Sequence, residues 1–149
     1  MRRGLGRGEK HKKITMTPKQ IVNKMYNNDP FSKWLGIEVV SVTKGSCVLS
    51  MTIKKEMLNG FGIAHGGITY SIADSALAFA ANSHGKQSVS IDTQINHIEV
   101  LKEGDKITAI ATEESLKNRF AFYKIEIKKD DILVALFKGT VYRTNKEWE

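Results

Sequence analysis

Asn59-Gly60-Phe61-Gly62-Ile63-Ala64-His65-Gly66-Gly67, with the apolar run that follows it to Ser83, decides how this chain folds. Between Met57 and Gly85 the only formally charged side chain is Asp74. Ile68, Ile72, Ala73, Ala76, Leu77, Phe79, Ala80 and Ala81 lie in that run, with no proline among them and glycines on either side. Helix formers set between breakers predict one helix over 67–83. It is apolar on nearly every face, so it reads as a core helix about which a sheet must curl. It is too short, and too interrupted by Ser71, Asp74 and Ser75, to cross a bilayer.

A carboxylate in the middle of such a helix is costly unless something partners it. No Lys or Arg lies within two helical turns of Asp74. Asp74 therefore protrudes into water, finds a partner elsewhere, or sits where its basicity is used. A hydrogen-bonded structural aspartate is the plain alternative. The residues upstream favour a functional role. The Gly pair allows close approach of a ligand to the backbone. The first N–H groups of a helix lack internal partners and carry the positive end of its dipole, which suits an oxyanion. At roughly 100° per residue, Asp74 lies about 20° from Gly67 on the helix wheel, two turns along. His65 and Asn59 add hydrogen-bonding groups just before the helix. No Ser or Cys here has an obvious activating base, so Asp74 itself is the candidate base or nucleophile of an acyl-transfer or hydrolytic site.

The chain has 149 residues, 41% hydrophobic and 26% charged, which suits one globular domain. Cys47 is the single cysteine, so no disulfide forms within the chain and no cysteine metal cluster exists; a reducing cytoplasm fits. The net charge of +7 is concentrated at the start: Arg2, Arg3, Arg7, Lys10, Lys12 and Lys13 against Glu9 leave only +2 for the rest. Residues 1–15 read as a disordered basic leader without the apolar stretch of a secretory signal, and 16–149 as the folded domain. The folded part carries no nucleic-acid signature. No His or carboxylate pair has convincing metal spacing, so no metal is expected.

Thr17-Pro18 starts a first helix reaching about Asn27, and Asn28-Asp29-Pro30 ends it. Phe31, Trp34 and Leu35 read as an aromatic plug, by default in the core, with the lining of an acyl pocket as the alternative. Strands follow over 37–42 and 46–53 around a Lys44-Gly45 turn, then, after the central helix, over 88–98, 106–112, 120–127 and 132–143. In the third strand Val89, Ile91, Thr93 and Ile95 share one face, and beyond Thr144 the tail is polar and loose apart from Trp148. The fold class is α+β: a curved six-stranded antiparallel sheet wrapped on one helix, with a short N-terminal helix.

Asn59, then His65-Gly66-Gly67 six residues on, then Asp74 nine residues after the His, resembles the motif of the hotdog-fold acyl-CoA thioesterases of the phenylacetic-acid-degradation (PaaI) type. The resemblance runs from about Asp29 to Tyr142, including Val89-Ser90-Ile91-Asp92, Gly104-Asp105 and Gly139-Thr140-Val141-Tyr142. It implies hydrolysis of an acyl-CoA with no cofactor, since coenzyme A belongs to the substrate. It implies that the Gly66 N–H polarises the thioester carbonyl and that Asn59 and His65 orient it. Asp74, from the opposite subunit of a homodimer, would activate water or attack, and Ser90 would hold the water or the carboxylate. Two such dimers would form a tetramer. Lys117, Asn118 and Arg119 are the candidate patch for the coenzyme A phosphates, with Arg143 and Lys138 behind them. Many relatives have an aromatic residue and a proline where this chain has His97 and Val100. His97 reads first as a surface or loop residue, with a change in what fits the acyl pocket as the alternative, and His84 as a helix-end residue. A non-catalytic acyl-CoA sensor on the same fold is the alternative, although the leader is too short and too glycine-rich for a helix-turn-helix. A hydratase is less well matched, because no Asp precedes His65 by a few residues.

Overall fold

The structure, a computed structural model, describes residues 14–149. Most of the predicted leader lies outside the described residues. In order come α1 (Pro18–Asn27), α2 (Pro30–Leu35), β1 (Glu38–Thr43), β2 (Ser46–Thr52), a single 3₁₀ turn (Lys55–Met57), α3 (Gly66–Asn82), β3 (Lys86–His97), β4 (Lys106–Lys117), β5 (Phe120–Lys129) and β6 (Ile132–Glu147). The strands form one antiparallel sheet in the order β1-β2-β4-β5-β6-β3. α3 packs against all six, so the sheet wraps the helix as its apolar composition requires.

Alternation along the strands supplies the inner face. Cys47, Leu49 and Met51 of β2, Ile107, Ala109 and Ala111 of β4, Tyr123, Ile125 and Ile127 of β5, and Phe137 and Val141 of β6 are buried with Ile72, Ala76, Leu77 and Phe79 of α3. At Gly139 a Cβ would sit 2.5 Å from a methyl of fully buried Leu77, so this glycine is what lets β6 approach the helix. Burial pushes the Cys47 thiol up to about 12, leaving it an inert core group.

The turns follow local chemistry. Pairs Lys117↔Phe120 and Lys129↔Ile132 close two-residue loops whose Asn118 and Asp130 take positive φ of 53° and 52°, a conformation Asn and Asp tolerate. Thr17 caps α1 in a complete capping box with Gln20.

Four expectations need correction. The aromatic plug is a short helix, α2, capped by Asp29; Leu35 is buried, but Phe31 and Trp34 are 52% and 53% exposed and stack on each other 6.0 Å apart. A six-residue helix with two proximal aromatics on one side cannot bury both. The tail is not loose: β6 runs to Glu147, and Trp148 donates from its backbone N–H to the Gly85 carbonyl and from Nε1 to Asn82 Oδ1. β4 continues five residues past Thr112, paired throughout with β5 across a register shift. In β3 a register shift between Ser90 and Asp92 breaks the predicted alternation, and Val89 and Ile91 stand 56% and 57% exposed.

Among the described residues no helix is long and apolar enough to cross a membrane, and no three His, Cys, Asp or Glu side chains come close enough to hold a metal ion.

Candidate active site

The loop before α3 is built by Asn59. Its Oδ1 accepts from the Phe61 N–H at 2.9 Å and from the Ile63 N–H at 3.5 Å, and its backbone N–H donates to the Ile63 carbonyl. With Oδ1 turned into the loop, the Nδ2 amide is the end that can donate outward. The loop is tied to its neighbours through Ala64 N–H to the carbonyl of Leu101, in the β3–β4 connection, and His65 N–H to that of Met57, in the 3₁₀ turn.

His65 is the N-cap of α3. Its Nδ1 accepts from the Gly67 N–H at 3.1 Å, which leaves the imidazole proton on Nε2. Gly66 is the first helical residue, and its N–H has no acceptor among the described residues. An unused donor at the positive end of a 17-residue helix is what a developing oxyanion needs. Asn59, Gly66 and Thr69 line a cavity of about 280 Å³ with His97 and the apolar Ile63, Ile98, Val100 and Leu101.

Asp74 lies elsewhere. At 1.5 Å per residue it is about 12 Å along the helix axis from Gly66, too far to share one carbonyl. It lines a separate cavity of about 390 Å³ with Phe31, Met25, Ser75, Ala78 and Phe79. α3 is not sealed on all sides as its composition suggested. Gly67 is exposed, Ser71, Asp74 and Ala78 are half-buried, and their spacing makes one stripe that the sheet leaves open. Asp74 makes no hydrogen bond or ion pair with the described residues, and burial raises its pKa from the ordinary carboxylate value. The stripe is rimmed by α2, which Asp29 and Ser32 moor to α3: Ser32 Oγ donates to Asp29 Oδ2 at 2.6 Å and lies 2.9 Å from Ser75 Oγ.

The other predicted residues are spread further. Ser90 is exposed on β3, opposite Val141 and next to the register shift, and lines neither cavity. Lys117, Asn118 and Arg119 form the exposed β4–β5 turn, but Arg119 Nη1 is engaged by Tyr142 Oη at 2.7 Å and the Asn118 carbonyl accepts from Arg143 Nη1 at 3.1 Å. Through the pairs Lys117↔Phe120, Phe120↔Tyr142 and Val89↔Tyr142 this turn sits at the start of β3, beside the C-terminal end of α3 and away from Gly66. One chain thus brings Asn59, His65 and Gly66 together and holds Asp74, Ser90 and the basic turn apart from them.

Two histidines read differently in the fold. His84 is not merely a helix-end residue: its Nε2 meets Glu113 Oε2 at 2.5 Å, and Tyr123 Oη donates to the same oxygen at 2.7 Å. His97 is exposed, as a surface residue should be, but it belongs to a strand and not to a loop. It ends β3 directly over Gly66, where an added Cβ would come 3.0 Å from its Nε2. Thr69 was not singled out as a site residue, and Phe31 only as an alternative lining of an acyl pocket; it stands beside Asp74 in that residue's cavity. Thr69 carries no motif signal, while the Asp29-Pro30 cap signal could have placed Phe31 on a helix.

The sequence profile of the Thioesterase superfamily matches residues 61–136. The acyl-coenzyme A thioesterase PaaI of Escherichia coli K12 is 38% identical over 125 residues, spanning 83% of this chain and 89% of that protein. The crystallised E. coli PaaI protein superposes with a TM-score of 0.85, covering 87% of this chain and 95% of that one at 36% identity. A mutant of the phenylacetic acid degradation protein PaaI from Thermus thermophilus superposes with a TM-score of 0.76 at 37% identity, covering 78% and 100%. With the sheet order and the loop–helix motif described above, these matches place the chain in a family: it belongs to the thioesterase superfamily and has the hotdog fold.

Proposed function

We propose that this protein hydrolyses an acyl-CoA thioester to the free acid and coenzyme A, at a site assembled from two copies of the chain. The observation that carries this is the division of labour along α3. Among the described residues, Gly66 offers an N–H without an acceptor at one end, and Asp74 holds a half-buried carboxylate without a partner about two turns away on an open stripe. Neither can serve the other within one chain, and a second copy supplies the missing half. The similarity to E. coli PaaI, named an acyl-coenzyme A thioesterase, supports the reaction.

β3 supports the pairing. It is an edge strand twelve residues long, with Val89 and Ile91 exposed. A long edge with apolar side chains is a template for another strand. A two-fold axis pairs two such edges antiparallel. The His97 end of one strand then faces the start of the other, and the second copy's Asp74 stripe and Lys117–Asn118–Arg119 turn approach the Gly66 end of the first.

In this arrangement the thioester carbonyl oxygen points at the Gly66 N–H, with the Asn59 Nδ2 amide and His65 Nε2–H as flanking donors. Asp74 of the second copy takes a proton from water as the water oxygen attacks the carbonyl carbon, or attacks that carbon itself to form an acyl-aspartate anhydride that water then hydrolyses to the free acid. The tetrahedral intermediate places its negative oxygen at the N-terminus of α3 and collapses by expelling coenzyme A as the thiolate. Ser90 hydrogen-bonds the water or the carboxylate, and the basic turn takes the coenzyme A phosphates. The substrate acyl group is aryl-acetyl, short-chain or medium-chain. Two dimers join as a tetramer, working in the cytoplasm.

The test is free-thiol release from a panel of acyl-CoA esters, with Asp74→Ala beside wild type. We expect wild type to cleave at least one ester and the folded variant to lose at least ~10²-fold in kcat, the scale of losing one transition-state partner. Near wild-type turnover by the variant would remove Asp74 from the mechanism.

A further inference from the structure

Gly66-Gly67 opens the helix whose first amide is asked to stabilise an oxyanion, and glycine is the least restrained backbone available. Preorganisation of that amide must come from outside the pair. The peptide that carries the Gly66 N–H is held by the Ile68 N–H, which donates to the His65 carbonyl at 2.9 Å, and the peptide that follows Gly66 is held at both of its ends. Gly67 N–H is taken by His65 Nδ1. The Gly66 carbonyl accepts from Thr69 Oγ1 at 3.0 Å, and Thr69 is only 5% exposed. Thr69 Oγ1 also lies 3.2 Å from His97 Nδ1. A hydroxyl has one proton, and a carbonyl can only accept, so the Thr69 proton goes to Gly66 and its oxygen accepts from His97 Nδ1–H. The bonds run in one direction: His97 Nδ1–H to Thr69 Oγ1–H to Gly66 C=O. The same imidazole lies over Gly66, with Nε2 3.0 Å from the position a Cβ would take. Gly66 is thus held at its carbonyl by Thr69 and packed at its Cα by the imidazole that orients Thr69.

We propose that His97 and Thr69 are positioning residues for hydrolysis: they fix the peptide that follows Gly66, and with it the backbone angle at Gly66 that aims its N–H before the oxyanion forms. This rests on the hydrolytic reading above. It assigns a purpose to His97 and Thr69, a pair that touch each other across 28 residues of sequence and that no part of the loop–helix motif requires. The bonding also fixes the His97 tautomer, with the proton on Nδ1 and a bare Nε2.

Two measurements test this. In nitrogen-15 spectra of histidine-labelled full-length protein, neutral His97 should show a protonated Nδ1 and an unprotonated Nε2, and Thr69→Val should abolish that preference. An Nε2-protonated His97 in wild type overturns the proposal, whether or not any ester is cleaved. In kinetics with the best acyl-CoA, Thr69→Val and His97→Phe should each lower kcat roughly tenfold, less than full loss of an oxyanion donor, with KM within about twofold. Thr69→Ser, which keeps the hydroxyl, should restore kcat. Wild-type kcat in both His97→Phe and Thr69→Val would overturn the positioning role while leaving hydrolysis intact. Absence of hydrolysis by wild type would instead fail the functional reading.

Discussion

Asp74 meets two opposing demands. It must be ionised to take a proton or to attack, yet the half-buried stripe on α3 disfavours its charged form and raises its pKa. Protonation silences it, so activity is lost as pH falls through the raised value. We expect the acid limb of the kcat/KM profile above the ordinary Asp value of about 3.9. A limb at or below that value would mean that another group sets the pH dependence. Asp74, Asn59, His65 and Gly66 were legible in the sequence because their spacing is local and their residue types are chemically unusual in an apolar run. His97 and Thr69 were not. The imidazole reaches the helix start only because β3 returns along α3 and ends there, which is a tertiary fact. For Phe31 the default reading failed and the alternative fits: an aromatic predicts burial, but α2 lays it half-exposed beside the Asp74 cavity.

At the level of elements, the central helix and the four later strands followed from composition and turn residues, and Asn118 and Asp130 sit at the tight turns their chemistry favours. β3 was read correctly as a strand and incorrectly as alternating, because a register shift leaves no mark in residue type. Its exposure is also what a single chain cannot explain. Ile91 is 57% exposed, so in a monomer Ile91→Lys should change stability by no more than about 0.5 kcal/mol. If two β3 edges pair, the same lysine disrupts the interface. We expect Ile91→Lys to sediment as a folded monomer without thioesterase activity. A fully active dimer carrying this lysine would show that β3 is not the joining edge.

For the whole molecule, the separation of the two proposed half-sites matters most. The proposed oxyanion donor and its flanking groups gather at the N-terminus of α3, while Asp74 and the basic turn lie along and beyond it. This follows from the helix rise and the strand pairings. The motif suggested both halves, and the resemblance implied that Asp74 comes from the opposite subunit; what spacing alone did not show is that one chain keeps the two about 12 Å apart along the helix. The most direct measurement mixes two variants, each crippled in one half. Asp74→Asn lacks the carboxylate, and Asn59→Asp replaces the outward amide donor with a charge that repels an oxyanion. Refolded together in equal amounts, they form heterodimers with one intact and one doubly damaged site. Random two-fold pairing then restores about a quarter of wild-type activity. A mixture no more active than the two variants measured separately would contradict a site shared between two copies.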